Sequence, residues 1–167
     1  DVYKRQDAYF NRFNNIWHHG DFAEIKKTNG LIIHGRSDTT LNPGGVRLGT
    51  AEIYTEVERF KEVKESIVVG QSWDNDIRII LFIVMNTKFY LTEDLLKKIK
   101  LRIKKNASPR HVPSKIIQVK DIPRTKSGKI VELAVKNILD GNNIKNKEAL
   151  ANPEALKQFK NLKKLIN

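Results

Sequence analysis

The stretch GRSDTTLNPGGVRLGTAEI, residues 35–53, decides how the rest of the chain is interpreted. It places Arg36 and Arg47 on either side of a Pro-Gly-Gly turn, and a helical pattern starts directly after it. The pair Gly44-Gly45 lets a backbone pass close to a ligand, because glycine lacks a side chain and adopts positive φ angles. Taken alone, the stretch is also compatible with a solvated linker that leads into a helix.

The apolar spacing downstream predicts a small α+β domain from about residue 39 onward, with a mixed sheet flanked by helices. Three strands are predicted, at ESIVVGQ (65–71), DIRIILFIV (76–84) and KIIQV (115–119), with a turn from Ser72 to Asp76 between the first two. Four helices are predicted, at residues 50–63 with Thr50 as N-cap, from Thr92 to near Asn106, from about Val131 to Gly141, and after a cap at Asn152-Pro153. The last of these has an apolar stripe of Leu156, Phe159, Leu162 and Ile166.

A β-hairpin is predicted upstream, at residues 22–36. Two short apolar-rich runs flank Asn29-Gly30, a pair that supplies the positive φ angles of a tight turn. The residues before the hairpin lack a clean period, and we expect them to be the end of a larger domain.

Composition is that of a globular protein, with 40% hydrophobic and 30% charged residues. No apolar run approaches the roughly 20 residues that span a bilayer, the first residues lack the pattern of a signal peptide, and there are no cysteines. We therefore expect a cytoplasmic protein that does not bind membranes. The net charge of +12 is compatible with nucleic-acid binding, but aromatic residues are not interleaved with the basic runs, so solvated helix faces are favoured and no nucleic-acid partner is expected.

One further loop could bind an anion. PRTKSGK, residues 123–129, combines the cations of Arg124, Lys126 and Lys129 with a glycine that permits a sharp turn. It is not a P-loop, because the first glycine and the Ser or Thr after the lysine are missing, and an exposed basic turn is the alternative. The sequence HHGD (18–21) has no further ligand at a fitting spacing, so no metal site is expected.

Together, the order and spacing of these blocks resemble the adenylate-forming acyl-CoA synthetases. The resemblance rests on Gly20-Asp21, on residues 35–53 and on residues 123–129. Pro43, ASPRHVP (107–113) and LANPEAL (150–156) resemble the branch that activates acetoacetate. The resemblance covers the chain from about Tyr9 onward, whereas DVYKRQ (1–6) does not match.

In such ligases, a carboxylic acid attacks the α-phosphate of ATP to give an acyl-adenylate, and the thiol of coenzyme A then displaces AMP. A C-terminal lid domain swings on a hinge between these half-reactions. The resemblance implies three regions: residues 1–37 end the large AMP-binding domain, residues 38–145 form the lid domain, and residues 146–167 form a helical extension. It also implies acetoacetate, ATP and coenzyme A as substrates, with the Mg²⁺ ligand and the acyl pocket upstream of Asp1.

For the nucleotide, the resemblance implies that Asp21 binds the ribose hydroxyls and that Arg36 supports the ribose or the phosphates. Arg47 contacts phosphate. Lys129 becomes the catalytic lysine of adenylation, neutralising the charge that develops at the α-phosphate.

For the second half-reaction, the resemblance implies a hinge at Asp38. Gly45 lines the passage of the pantetheine arm, and Lys104 meets a phosphate of coenzyme A, with Arg102 as the second candidate. We expect the chain alone to be inactive. A ligase for acetate or propionate, and a free-standing basic module that binds a polyanion, stay open as alternatives.

Overall fold

The hairpin lies where the sequence predicts it. The structure, a computed structural model, describes residues 6, 9–144, 147–160, 162 and 165. Strand β1 (Asp21–Ile25) pairs antiparallel with β2 (Leu31–Arg36). Asn29 has a φ of 61°, but Gly30 does not have a positive φ. The last strand pair is Ile25 with Leu31, so the connection has five residues and the predicted tight Asn-Gly turn is wrong.

A three-stranded sheet forms the centre of the rest. Strands β3 (Val63–Trp73), β4 (Asp76–Met85) and β5 (Lys115–Val119) are arranged in that order. The β3–β4 pair is antiparallel and the β4–β5 pair is parallel. A parallel pair requires a crossover, and the connection from β4 to β5 contains a helix. The predicted α+β class with a mixed sheet is confirmed.

The turn between β3 and β4 is tighter than predicted. Trp73 pairs with Asp76, so the turn contains only Asp74 and Asn75, with φ angles of 50° and 59°. Two consecutive positive φ angles match the right-handed twist of a hairpin, which lets both strands continue up to the turn. The longer predicted turn, Ser72 to Asp76, is therefore wrong at its ends.

The sheet is buried on both faces. Alternate residues of β4 point to opposite sides, since side chains alternate along a strand. Helices α1 (Ala51–Val57) and α2 (Glu93–Asn106) contribute to the core on one face, and α3 (Glu132–Leu139) to the core on the other. The first core includes Ile53, Val57, Leu81, Ile83, Ile99 and Ile103. The second includes Ile80, Phe82, Ile117, Ile122, Val135 and Phe159.

Helix α1 is shorter than the predicted 50–63. It ends at Val57, and Val63 already pairs with Met85 in the sheet. The residues between them turn so that Phe60 packs against the core, because strand pairing takes over the end of the apolar pattern. Thr50 occupies the N-cap position, but its side chain makes no capping hydrogen bond.

Helices α2 and α3 agree with prediction. The side chain of Thr92 accepts a hydrogen bond from the Leu95 amide at 3.2 Å, which satisfies one of the amides left open at a helix start. Helix α2 ends at Asn106 as expected. Helix α3 is followed by Gly141 with a φ of 73°, the conformation that commonly ends a helix.

The predicted terminal α-helix is instead a 3-10 segment, Pro153–Phe159. Asn152 precedes it without capping it, and Gln158 is bonded to the exit of β5, accepting from the Lys120 amide at 2.6 Å. Its backbone is bonded internally, from the Ala155 amide to the Asn152 carbonyl at 3.1 Å, and side-chain contacts tie both of its ends to the exit of β5. Leu156 and Phe159 are buried as predicted.

Three predictions concern residues outside the described ones. These are the mismatch at the first five residues, the boundary at residues 145–146, and Ile166. Within the part of the chain that the structure describes, no helix is long and apolar enough to cross a membrane.

Candidate functional site

Three of the predicted site residues meet at the open end of the hairpin. Arg36 donates to both carboxylate oxygens of Asp38, from Nε at 3.3 Å and from Nη2 at 3.4 Å. Its Nη1 lies 3.8 Å from Oδ1 of Asp21 and donates to the carbonyl of His19 at 3.2 Å. Asp21, Arg36 and Asp38 therefore form one charged cluster.

Local sequence builds this cluster. Asp21 and Arg36 are opposite each other in the register of β1 and β2. Gly20 has a φ of 88°, and a Cβ atom there would lie 2.9 Å from Nη2 of Arg36. The backbone amide of Ser37 donates to the carbonyl of Gly20 at 2.8 Å. A glycine before Asp21 thus leaves the room that the guanidinium occupies.

The Asp21 carboxylate has one additional partner. Nδ1 of His19 lies 2.5 Å from its Oδ2, and the Asp21 side chain is 26% exposed. A carboxylate accepts several hydrogen bonds through two oxygens, so Asp21 can accept further hydrogen bonds from a ligand.

Arg47 lies beside strand β1 of the hairpin. Its side chain is exposed, and its guanidinium carbon is 6.0 Å from the ring centroid of Phe22 on β1. Leu41 and Leu48 pair across the loop, with backbone N to O distances of 3.1 and 2.8 Å. This pairing fixes the loop that carries Arg47.

The Pro-Gly-Gly turn is anchored to the β3–β4 hairpin. The amide of Gly44 donates to both oxygens of Asp76, at 2.9 and 3.0 Å. The amides of Ile77 and Gly44 lower the pKa of the Asp76 carboxyl, because they stabilise its charged form. Gly45 has a φ of 74°, and a Cβ atom there would meet nothing within 4 Å. Gly45 therefore borders open space, in a groove it shares with Asn42 and the β3–β4 turn.

Lys129 closes a compact loop. Its backbone amide donates to Oγ1 of Thr125 at 3.1 Å, and its carbonyl accepts from the Thr125 amide at 2.9 Å. The Lys129 side chain is exposed. None of the ion pairs between residues that the structure describes includes it. A fixed backbone thus carries an ammonium group that faces solvent.

Arg124, expected to offer a cation to an anionic ligand, is instead bound internally. Its Nη2 contacts the carboxylate of Glu65 on β3, and its Nη1 donates to the carbonyl of Gly128 at 2.9 Å. The expectation that Arg124 offers its charge to an anionic ligand is therefore wrong.

At the end of α2, Lys104 is exposed whereas Arg102 is bound. Nε of Arg102 lies 2.8 Å from Oε2 of Glu56 on α1, and Nδ2 of the Asn106 side chain donates to the same oxygen at 2.7 Å. The hydrogen bonds from Asn106 and Arg102 lower the pKa of the Glu56 carboxyl. Of the two candidates for a coenzyme A phosphate, Lys104 is the one whose charge is available.

The candidate residues lie at two ends of one strand. Glu65, which holds the Lys129 loop, and Trp73, which borders the Gly45 groove, are eight residues apart on β3. Strand geometry converts this spacing to about 26 Å. The structure does not bring Lys129 and Gly45 into one pocket.

Sequence reasoning missed three contributors. The sequence suggests His19 only as a metal ligand and indicates no role for Asp76 or Glu65. Glu65 is 59 positions from Arg124, and no local pattern links positions so far apart. Among the described residues, no group of three or more His, Asp or Glu side chains could hold a metal ion.

Part of the chain matches a known protein family. Residues 52–129 match the family described as "AMP-binding enzyme C-terminal domain". These residues form an AMP-binding enzyme C-terminal domain. The matched segment begins at α1 and ends at Lys129, so it contains the complete sheet of this AMP-binding C-terminal domain and its lysine loop.

Relatives extend the similarity over nearly the whole chain. The acetoacetyl-coenzyme A synthetase of Rhizobium meliloti (strain 1021) is 59% identical over 165 residues, which is 99% of this chain and 25% of that protein. The acetoacetyl-CoA synthetase of Xenopus tropicalis is 48% identical over 166 residues, 98% of this chain and 25% of that protein. The chain spans about a quarter of the length of these relatives.

A solved structure shares the fold. The acetoacetyl-CoA synthetase from Streptomyces lividans superimposes with a TM-score of 0.87 at 36% identity, covering 99% of this chain and 25% of that one. The similarity includes the hairpin and the terminal segment as well as the AMP-binding C-terminal domain.

Proposed function

We propose that the chain is the C-terminal quarter of a ligase that activates acetoacetate with ATP and transfers it to coenzyme A, releasing AMP. The observation that carries the proposal is the 59% identity over 99% of the chain to a protein named acetoacetyl-coenzyme A synthetase. Identity at this level across both the hairpin and the sheet domain supports a shared reaction as well as a shared fold.

For the nucleotide, we propose that the hairpin cluster holds the ribose and that Arg47 contacts phosphate. Asp21 can accept hydrogen bonds from the ribose hydroxyls through its partly exposed carboxylate, and Arg36 holds it in place. Lys129 supplies a positive charge to the α-phosphate as pyrophosphate leaves. Its exposure supports this role, because an ammonium group already paired with a carboxylate would be neutralised before the nucleotide arrives.

For the thioester step, we propose that rotation about Asp38 replaces the Lys129 loop by the Gly45 groove at the reacting centre. The separation along β3 supports this: the two sites are too far apart to act on one atom at the same time. A hinge motion presents each in turn. The Asp38 side chain is bound to Arg36 alone among the described side chains. The turn around it is also closed by the hydrogen bond from Oγ1 of Thr40 to the Arg36 carbonyl at 2.8 Å, so we propose that both contacts open when the backbone rotates. Lys104 then meets a phosphate of coenzyme A.

We further propose that residues 1–37 belong to the large nucleotide-binding domain, residues 38–145 to the lid and residues 146–167 to an extension. The exposed side chains of the hairpin support the first boundary. Ile25, Leu31 and Ile33 are 77%, 62% and 51% exposed, which is unusual for a cluster of aliphatic residues on adjacent strands. We propose that Mg²⁺ and the acyl group are bound by residues of that large domain.

Two alternatives lead to different expectations. A ligase for acetate or propionate keeps every residue role above, and only the acyl pocket distinguishes it. A free-standing polyanion binder, suggested by the net charge of +12, requires no ATP. Replacing Lys129 in such a binder lowers the affinity for the polyanion only by roughly the contribution of one lysine–phosphate contact, and reduces the salt dependence of binding accordingly.

The chain alone is expected to be catalytically inactive, because the acyl pocket and the metal ligand are proposed to lie elsewhere. Incubating the purified chain with acetoacetate, ATP, Mg²⁺ and coenzyme A should release no AMP above a protein-free control. Acetoacetate-dependent release of AMP by this chain would overturn the proposed division of labour.

The proposal is tested without protein by translating the source DNA upstream of the codon for Asp1. An open frame of several hundred residues with a Ser/Thr/Gly-rich phosphate loop is the expected result. A start codon at or just before Asp1 would contradict the proposal and favour the polyanion binder.

A further inference from the structure

We propose that Arg124 is a positioning residue for Lys129: it clamps the carbonyl just before the lysine to the central sheet. The inference rests on the proposed adenylation role of Lys129. The contact that suggests it is the hydrogen bond from Nη1 of Arg124 to the Gly128 carbonyl at 2.9 Å. Gly128 is bonded covalently to Lys129, so whatever fixes its carbonyl also fixes the start of the lysine.

The other side of the clamp is anchored in the sheet. Nη2 of Arg124 contacts Oε2 of Glu65, and the Arg124 and Glu65 side chains are only 33% and 16% exposed. Glu65 belongs to β3, which pairs with β4 along most of its length. The planar guanidinium can donate in two directions at fixed angles. It therefore holds the tip of the loop at a fixed position relative to β3.

The backbone of Arg124 is held independently. Its amide donates to Oδ1 of Asn152 at 2.8 Å, and its carbonyl accepts from the Ala151 amide at 2.8 Å. Both partners lie beyond the residues matched by the domain family. The C-terminal segment thus fixes the base of Arg124, while Glu65 fixes its tip.

Loss of the contact between Arg124 and Gly128 is expected to lower the rate of adenylation more than the stability of the fold. Hydrogen bonds within the loop, such as that from the Gly128 amide to the Thr125 carbonyl at 2.8 Å, hold its shape, whereas the Arg124 side chain ties Gly128 to the sheet. The Lys129 ammonium is proposed to act at a reacting phosphate, where a displacement of about 1 Å costs about 100-fold in rate. Without the clamp the lysine is still present, but its placement is less exact.

The test compares half-reactions in the full-length protein. Arg124→Gln is expected to lower acyl-adenylate formation, measured by acetoacetate-dependent ATP–pyrophosphate exchange, by about 10- to 100-fold, mainly in kcat. Thioester formation from supplied acetoacetyl-adenylate should stay within about threefold. Arg124→Lys, which pairs with Glu65 but lacks the fork to reach Gly128 as well, should fall between. Arg59→Gln, at an exposed arginine on the turn after α1, is the matched control and should retain both half-reactions.

Glu65→Gln removes the carboxylate that binds Arg124 and keeps Arg124 itself. It should also lower adenylation while retaining thioester formation, and it provides the test if Arg124→Gln does not fold. Equal adenylation rates in Glu65→Gln, Arg124→Gln and Arg59→Gln would overturn the inference, as would an equal loss in both half-reactions with a lowered Tm. Lys129→Ala, assayed in parallel, distinguishes failure of the Arg124 inference from failure of the proposed function. If Lys129→Ala retains adenylation, the proposed function itself fails.

Discussion

Replacing Lys129 with alanine in the full-length protein is expected to lower acyl-adenylate formation by about 100- to 1,000-fold, the cost of removing one preorganised charge from a reacting centre. Thioester formation from supplied acetoacetyl-adenylate should remain within about threefold of the unmodified protein. Arg124 cannot substitute for the missing charge, because it is bound to Glu65 and to the Gly128 carbonyl. Single-turnover measurements of the two half-reactions check the prediction.

The matched control for this variant is Lys126→Ala. Lys126 lies in the same loop and is exposed, and its backbone amide, which the substitution keeps, donates to the Ala149 carbonyl at 3.1 Å. It should adenylate at the unmodified rate. A loss of similar size in both variants would mean that the loop acts through its total charge, as a polyanion binder does, and would contradict the role assigned to Lys129.

Placing a side chain at Gly45 is expected to have the opposite selectivity. Gly45→Leu should slow thioester formation by about 100-fold, since the side chain would occupy the proposed path of the pantetheine arm and displace its thiol. Adenylation should change by no more than about threefold. The structure offers no packing reason for glycine here beyond the φ of 74°, because a Cβ atom would meet nothing within 4 Å. Rates of acetoacetyl-CoA formation from supplied adenylate, at several coenzyme A concentrations, check this prediction.

Gly141→Leu is the control for the backbone strain that Gly45→Leu introduces. Gly141 has a φ of 73° and equally open surroundings, so Gly141→Leu introduces the same unfavourable conformation away from either site. It should lower thermal stability as much as Gly45→Leu while retaining both half-reactions. If Gly141→Leu also loses thioester formation, strain rather than obstruction explains the effect.

The parts of the fold that were predictable are those with local signals. Helix α2 follows from the Thr92 cap and the spacing of its apolar residues, and the first hairpin follows from two short apolar runs on either side of turn-forming residues. These features depend on residues close together in the chain. The pairing of Asp21 with Arg36 is not one of them, because it requires a β-bulge between Phe22 and Ala23 that the predicted hairpin, residues 22–36, does not contain.

The parts that were not predictable depend on distant pairing. The end of α1 is set by the pairing of Val63 with Met85, and the 3-10 conformation after Asn152 by contacts with the exit of β5. The partner of Arg124 is likewise a strand residue far away in sequence. In each case tertiary contacts override a local propensity, and a pattern within ten residues carries no information about them.

The roles assigned to the site residues still depend on the reaction itself. The most direct measurement is AMP formation by the purified full-length protein with ATP, Mg²⁺ and coenzyme A, comparing acetoacetate with acetate and propionate at equal concentrations. We expect AMP formation with acetoacetate at a kcat/KM well above that for the other two acids, with acetoacetyl-CoA as the product. Preference for acetate or propionate would contradict the proposed substrate, and no AMP release with any of the three acids would contradict the ligase assignment.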